Sequence, residues 1–504
     1  MDRQELKFRA STTLGKNKLN FGIKTSFGGS DSYNNAIHTS SNSQGQEHTL
    51  FHSSFRNIPT VSGDIKFTFE RTRKRFAYIT YNYADNRTEY TNLTNLTNVS
   101  PADETLASSR ESIRENYSKV HTAQTFDMLT LGRGHSLTIR SLYTNRQYDD
   151  LTQYTYYYYS PDPDDPNEPS VEEIEESGGV QYNQQVVSLS GAYSYRIRNI
   201  AAAATLGGQY EGNRGLFRNT NTPLQHSHWQ FAPSLSLTWR AKKYFFRTGY
   251  SMGTIRPNMN MLNPYEDDSD PKNIYRGNPD LRPETRHSTS LSLSRRFGKL
   301  GGSIEMSLSF SLIPNAIERV TMATDNGATL TTYRNIGQRK QYRIGFDNGV
   351  IPFSKNVALQ YFVGYSFIVF DSPDPNLGHN RTGGFDCIAV LSGRAWSSGT
   401  LRLTYNLLSS HNLSQSQKTG YLHNFTFRLD QSIIKNKISA SLTVANPFES
   451  RSTLREEIAG SNFRTISTRE HLGRIVGVSL RFNFGRLKDR VAEAENVPDD
   501  TTRN

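Results

Sequence analysis

The chain has 504 residues, of which 35% are hydrophobic and 11% aromatic, with a formal charge of +11 and a mean hydropathy of −0.65. No apolar run reaches the length of a spanning helix, which excludes a helical membrane bundle, and 27 Tyr with 27 Phe exclude a disordered chain. The positive charge does not read as nucleic-acid binding: Lys242, Lys243, Lys299, Lys355, Lys435 and Lys437 sit at tight turns, and Lys66, Arg402, Arg428 and Arg481 alternate along strands.

Period-two alternation starts at once, with Leu6, Phe8 and Ala10 set between charged neighbours, so no export signal opens the chain. Strands are then predicted throughout, joined by connections of two kinds. Short turns fall near Gly15, Arg73, Gly132, Arg198, Lys242, Lys299, Ser354, Ser397 and Lys435. Long loops are expected over about 28–46, 86–116, 151–178, 213–225, 257–284, 317–328, 372–378, 409–417 and 450–468. Short turns on one side and long loops on the other is the plan of an outer-membrane barrel, with turns periplasmic and loops outside.

Taken in order, the loops carry most of the candidate chemistry. Asn92, Asn95 and Asn98 each head an Asn-x-Ser/Thr triplet, read here as polar filler. The run Tyr154–Tyr159 is dense in rings that stack on sugars or flat ligands, or that form interfacial girdles, and Tyr156, Tyr157, Tyr158 and Tyr159 are ligand-contact candidates. Asp162 to Glu176 is acidic but matches no calcium loop, and reads as a solvated loop. His226 and His228 share a strand face, two ligands without a third. Glu266, Asp267, Asp268 and Asp270 share one loop and read equally as contacts for a cationic ligand or as plain loop polarity.

The second half holds the clearest strands. Ile304, Met306, Leu308, Phe310 and Leu312 alternate with Glu305, Ser307, Ser309 and Ser311. The same pattern recurs at Leu401–Leu407, Phe425–Leu429, Ile438–Val444 and Val476–Phe484. Cys387 is the single cysteine and reads as an inert strand thiol. The count comes to about 19 strands in an all-β, antiparallel transmembrane β-barrel over 1–485, followed by a disordered periplasmic tail over 486–504. An odd count makes the first strand run towards the periplasm. With the absent export signal, it leads to the expectation that N-terminal strands lie upstream of residue 1.

Two stretches carry a family likeness. Arg256-Pro257, Asn263-Pro264 and Gly277-Asn278-Pro279-Asp280-Leu281-Arg282-Pro283-Glu284 resemble an external loop and strand entry of TonB-dependent outer-membrane receptors. Tyr333-Arg334-Asn335-Ile336-Gly337 is a weaker match. The C-terminal strand, with Val476, Val478, Leu480, Phe482 and Phe484, resembles the insertion signal that ends such receptors, although twenty residues follow it. The wording is closest to the Bacteroidetes-type outer membrane protein β-barrel branch. The resemblance implies a 22-stranded barrel with an N-terminal plug that contacts the TonB complex, both outside this chain. It also implies recognition by the barrel-assembly machinery and a surround of outer-membrane lipid and lipopolysaccharide.

The expected function is uptake of a scarce nutrient, such as a metal chelate, vitamin or oligosaccharide. The alternative is a scaffold or adhesin barrel that displays its loops. No nucleophile-and-base pairing, zinc motif or phosphate loop occurs in the sequence, so no enzyme activity and no cofactor are expected.

Overall fold

The computed structural model describes residues 4–482 except 15–16, 28–30, 43–44, 70–73, 101–102, 162–168, 268–272, 325–327, 374–378, 410–415, 420, 435–436 and 460–463. Alternating side chains and β-forming Thr, Tyr, Val and Ile produce one antiparallel meander. Its wall strands begin with Gln4–Leu14, Asn17–Phe27, Gly45–Phe69, Arg75–Ser100, Asp103–Gly132, His135–Pro161, Pro169–Ile197 and Ile200–Phe217. They continue with Ser234–Ala241, Tyr244–Ile255, Glu284–Phe297, Gly302–Ile313, Gln338–Pro352, Val357–Asp371 and His379–Trp396. Gly399–Ser409, Tyr421–Ile434, Ile438–Ala445 and Ile475–Phe482 complete the series.

The sheet contains 21 strands, but two of them share a position with another. Asp31–Asn42 and Asn17–Phe27 pair with different halves of Gly45–Phe69. Thr222–Phe231 and Ser234–Ala241 divide Ile200–Phe217 in the same way. Nineteen wall positions remain, matching the sequence count. Arg464–Leu472, from the last long connection, lies alongside Asp31–Asn42 from near the start, so the sheet curls round on itself.

The two faces divide as the alternation predicts. Ile65, Ile79, Ile139, Tyr143, Leu189, Tyr193, Leu206, Leu291 and Leu308 are exposed on the outer face, near the short turns. Lys66, Glu305, Arg402, Arg428 and Arg481 occupy the alternate positions and therefore the lumen face. Arg402 and Arg428 stand opposite one another across two strands.

The connections differ from expectation. Most of 86–116 and 151–178 forms the outer halves of strands of 25 to 30 residues, not loops. A tilted strand crosses a membrane in roughly 9–11 residues, so more than half of each of these strands lies beyond it. The outer face turns polar there, through Asp85, Arg87 and Glu89 on one strand and Asn145, Gln147 and Asp149 on another. Ion pairs such as Arg87–Glu115, at 2.9 Å, replace the apolar rows. Thr, Tyr and Asn suit a wet two-sided ribbon as well as a membrane wall, so strand pairing continues where the apolar pattern stops.

The segment 256–284 and the hairpin of Ile317–Ala323 with Thr329–Asn335 fold against the inner face of this outer wall. Leu262 and Leu281 pack there on Val180, Phe217 and Leu224 in the main buried cluster. The predicted tail, 486–504, lies outside the described residues.

Candidate functional site

The inward-folded segment and the extended wall enclose a cavity of about 540 Å³, within the range of small-molecule sites. The wall supplies Asn92, Arg110, Ser112, Arg114, Asp150, Thr152 and Tyr154, and the segment supplies Asn260, Asn263, Tyr265, Asp267 and Tyr275. Tyr154 lies some ten residues beyond Tyr143, the last exposed aromatic of the outer row on its strand, or ~35 Å along it. The cavity is therefore at the barrel mouth, clear of the membrane.

Register builds its wall. Arg110 stands opposite Tyr156, Ser112 opposite Tyr154, and Arg114 opposite Thr152, all on the lumen face. The Arg110 guanidinium lies over the Tyr154 ring at 4.3 Å and near Tyr156 at 5.3 Å, and donates to Asp267 at 2.8 Å. Burial works against its charge, but Asp267 and the two tyrosines outweigh that and hold its pKa above the ordinary value. Arg114 donates through Nε to both oxygens of Asp150, at 2.8 and 3.0 Å. The Asp150 carboxylate is buried, and this fork offsets its desolvation. Both lining cations are thus already neutralised by carboxylates.

The tyrosines form a ladder. Tyr154, Tyr156 and Tyr158 stack at 6.2 and 6.3 Å along one face, and Tyr265 stacks on Tyr154 at 6.3 Å. Tyr265 donates to Glu176 at 3.1 Å and shares a 3.4 Å hydrogen bond with Tyr156. Burial raises the pKa of Tyr154, Tyr156, Tyr265 and Tyr275, so all four are neutral hydroxyls.

The residues singled out from sequence fall into separate places. Tyr156 and Asp267 come together through Arg110, with Tyr158 further along the ladder. Tyr157 and Tyr159 occupy the opposite face of the strand. Glu266 pairs with Arg276 at 3.3 Å on the surface, and Asp268 lies outside the described residues. His226 and His228 are in ring contact at 5.4 Å, and no third metal-ligating group joins them among the described residues.

The family-motif residues hold the segment in place. Arg256 pairs with the buried carboxylate of Glu211, and Pro257 is buried beside it in the chain. The Asn263 side chain accepts from the Tyr265 N–H at 3.1 Å, and Pro264 follows it. A Cβ at Gly277 would stand 2.4 Å from the Asn263 carbonyl, so only glycine fits that crossing. Asn278 donates to the Tyr333 carbonyl at 2.9 Å and accepts from the Asp280 N–H across Pro279. Leu281 is in the core. Arg282 and Asn335 exchange two hydrogen bonds, of 2.7 and 2.8 Å. After Pro283, Glu284 accepts from the Ile317 N–H and from Arg339, which also pairs with Glu318 at 2.7 Å. At the other end of the chain, Val476, Val478, Leu480 and Phe482 are exposed on one face of the terminal strand, and Phe484 lies outside the described residues.

Arg110, Arg114, Asp150 and Tyr275 are not singled out by the sequence, and Tyr265 enters it only within the family motif. Arg110 and Arg114 share a strand face by their spacing, which was the one available signal.

The curled 19-position wall, its apolar outer rows and its asymmetric connections define a bacterial outer-membrane β-barrel. The model of the outer membrane protein beta-barrel family matches residues 67–482, and the chain belongs to that family, with the outer membrane as its location. Among solved structures, the ferric yersiniabactin uptake receptor FyuA from Yersinia pestis superposes with a TM-score of 0.53 at 11% identity, over 96% of this chain and 78% of that one. The copper transporter OprC gives 0.48 at 8% identity, over 96% and 83%. The siderophore receptor PirA from Pseudomonas aeruginosa gives 0.44 at 10%, over 95% and 80%. No curated protein matches the sequence.

Proposed function

We propose that the chain is the barrel of a TonB-dependent uptake receptor whose mouth cavity captures a nutrient of low net charge. The observation that carries this reading is the pairing of both lining cations, Arg110 with Asp267 and Arg114 with Asp150. An anionic metal chelate calls for unpaired cations, because displacing a carboxylate from a buried guanidinium is costly. A hydroxylated or ring-bearing ligand needs none. It stacks on Tyr154 and Tyr265, and it finds fixed donors and acceptors in Arg114, Asp150, Asn92 and Asn263. An oligosaccharide or vitamin therefore suits the cavity better than a ferric chelate.

In this reading a plug that engages the TonB complex fills the lumen. The terminal strand, with Val476, Val478, Leu480 and Phe482, meets the barrel-assembly machinery, and lipid with lipopolysaccharide surrounds the apolar rows. Calorimetry on the detergent-purified chain tests the ligand class, with maltoheptaose, cyanocobalamin and ferric citrate as probes. Saturable binding of one of the two neutral probes, lost in Tyr154→Ala and Arg114→Ala, is expected. Binding of ferric citrate alone contradicts the low-charge ligand, and binding of none favours a scaffold that displays its extended wall.

A further inference from the structure

Among the described residues, four Tyr–His hydrogen bonds lie on the outer face of the wall, and three share one geometry. Tyr81, Tyr250 and Tyr405 are each the seventh residue of an upward strand, Arg75–Ser100, Tyr244–Ile255 and Gly399–Ser409. Their hydroxyls meet Nδ1 of His121, His287 and His423 on the next strand, at 2.7, 2.9 and 2.9 Å. In each case the histidine is two residues outward of the residue facing the tyrosine, which is Ala123, Thr289 or Phe425. The ring centroids are 6.2, 6.3 and 6.2 Å apart.

Height gives the pattern its meaning. The histidines stand 11, 10 and 11 residues from the short-turn ends of their strands, at Gly132, Phe297 and Ile434. At ~3.3 Å per residue and a tilt of about 40°, that is a rise of about 25 Å, the height of the apolar band of an outer-membrane barrel. All three histidines therefore sit at the outer-leaflet boundary, in separate sectors of the wall. The fourth pair, His135 with Tyr193 at 2.6 Å, lies at the opposite boundary, and there too the histidine is on the water side of the tyrosine. An aromatic belt needs only the tyrosine. A phenol that donates to Nδ1 leaves the imidazole proton on Nε2, which keeps a donor for a second partner.

We propose that His121, His287 and His423, each set by its tyrosine, seat the phosphate groups of lipid A in the outer leaflet. The imidazole donates through Nε2 to a phosphate oxygen, and the tyrosine fixes the tautomer and ring direction. The seat rests on the outer-membrane location and is independent of the mouth cavity.

The test measures lipid A retention by the full chain in phosphatidylcholine nanodiscs, for the wild type and for H121F/H287F/H423F, which keeps the rings. The triple variant should retain lipid A about ten-fold less well, as loss of one hydrogen bond to a charged phosphate at each separate site implies, with phosphatidylglycerol retention unchanged. Should the triple variant not assemble, wild-type protein with dephosphorylated lipid A should show the same loss. Equal retention of lipid A by the variant, or of dephosphorylated lipid A by the wild type, overturns the proposal. So does competition by millimolar inorganic phosphate, which would mark a free-anion site.

Discussion

Arg110 donates to the carboxylate of Asp267 at 2.8 Å across 157 residues of chain, tying the outer wall to the segment folded into the barrel mouth. Because Asp267 is 42% exposed, the pair stabilises locally, by about 1 kcal/mol once solvent screening is counted. Asp267→Asn should speed protease cleavage within 256–276 about five-fold, as a local cost of that size implies, and leave the heat-modifiable migration of the barrel unchanged. Unchanged cleavage would show that the tie does not hold the segment.

Gly277 makes a different kind of contact, backbone against backbone. Its missing Cβ leaves room for the carbonyls of Asn263 and Asn260, at 2.4 and 2.7 Å from where that atom would stand. Gly277→Ala should destabilise the segment by about 1–3 kcal/mol and weaken ligand binding. Hydrogen exchange at the Asn278 N–H, which is bonded to the Met261 carbonyl, reads this directly.

The clasp Glu284–Arg339–Glu318 should give the hairpin of Ile317–Ala323 and Thr329–Asn335 a pH dependence. Burial raises the Glu318 pKa from 4.5 to about 7; Arg339 opposes the shift and Glu284 adds to it. A carboxyl raised on folding stabilises fully below its unfolded pKa, and the contribution is lost as pH rises through the folded value. Local stability of the hairpin should therefore fall by about 3 kcal/mol between pH 4.5 and 7. Glu318→Gln should flatten that slope in hydrogen exchange corrected for intrinsic rates. A slope that survives the substitution would assign it to another group.

The face assignment predicts an asymmetry between neighbours. Leu291 is exposed in the outer row with Leu308 opposite it, while Ser290 faces the lumen opposite Ser309. Leu291→Arg should destabilise the barrel by about 2–4 kcal/mol and lower its yield in SDS-resistant form, and Ser290→Arg should assemble normally.

The wall was legible because each membrane strand must alternate, as Ile304–Leu312 and Val476–Phe482 do. The extension beyond the membrane was not, because water on both sides removes the apolar row that marks a strand, as in Asp85–Thr91. The motif from Arg256 to Glu284 announced the family without revealing that its residues brace a segment. Asn278 and Asn335 act through backbone partners tens of residues away. The cavity joins side chains from several strands, and no local pattern records that register. One part was within reach: period two splits Tyr154–Tyr159 into two faces and places only Tyr154, Tyr156 and Tyr158 with Arg110.

Planar-bilayer current through the purified chain reads out both a transmembrane pore and a ligand site at its mouth. A large open-channel conductance is expected, interrupted by a neutral ligand added on the long-loop side, with the interruptions abolished in Tyr154→Ala and Arg114→Ala. A wall that carries no current, or a current that the variants leave equally blocked, would contradict it.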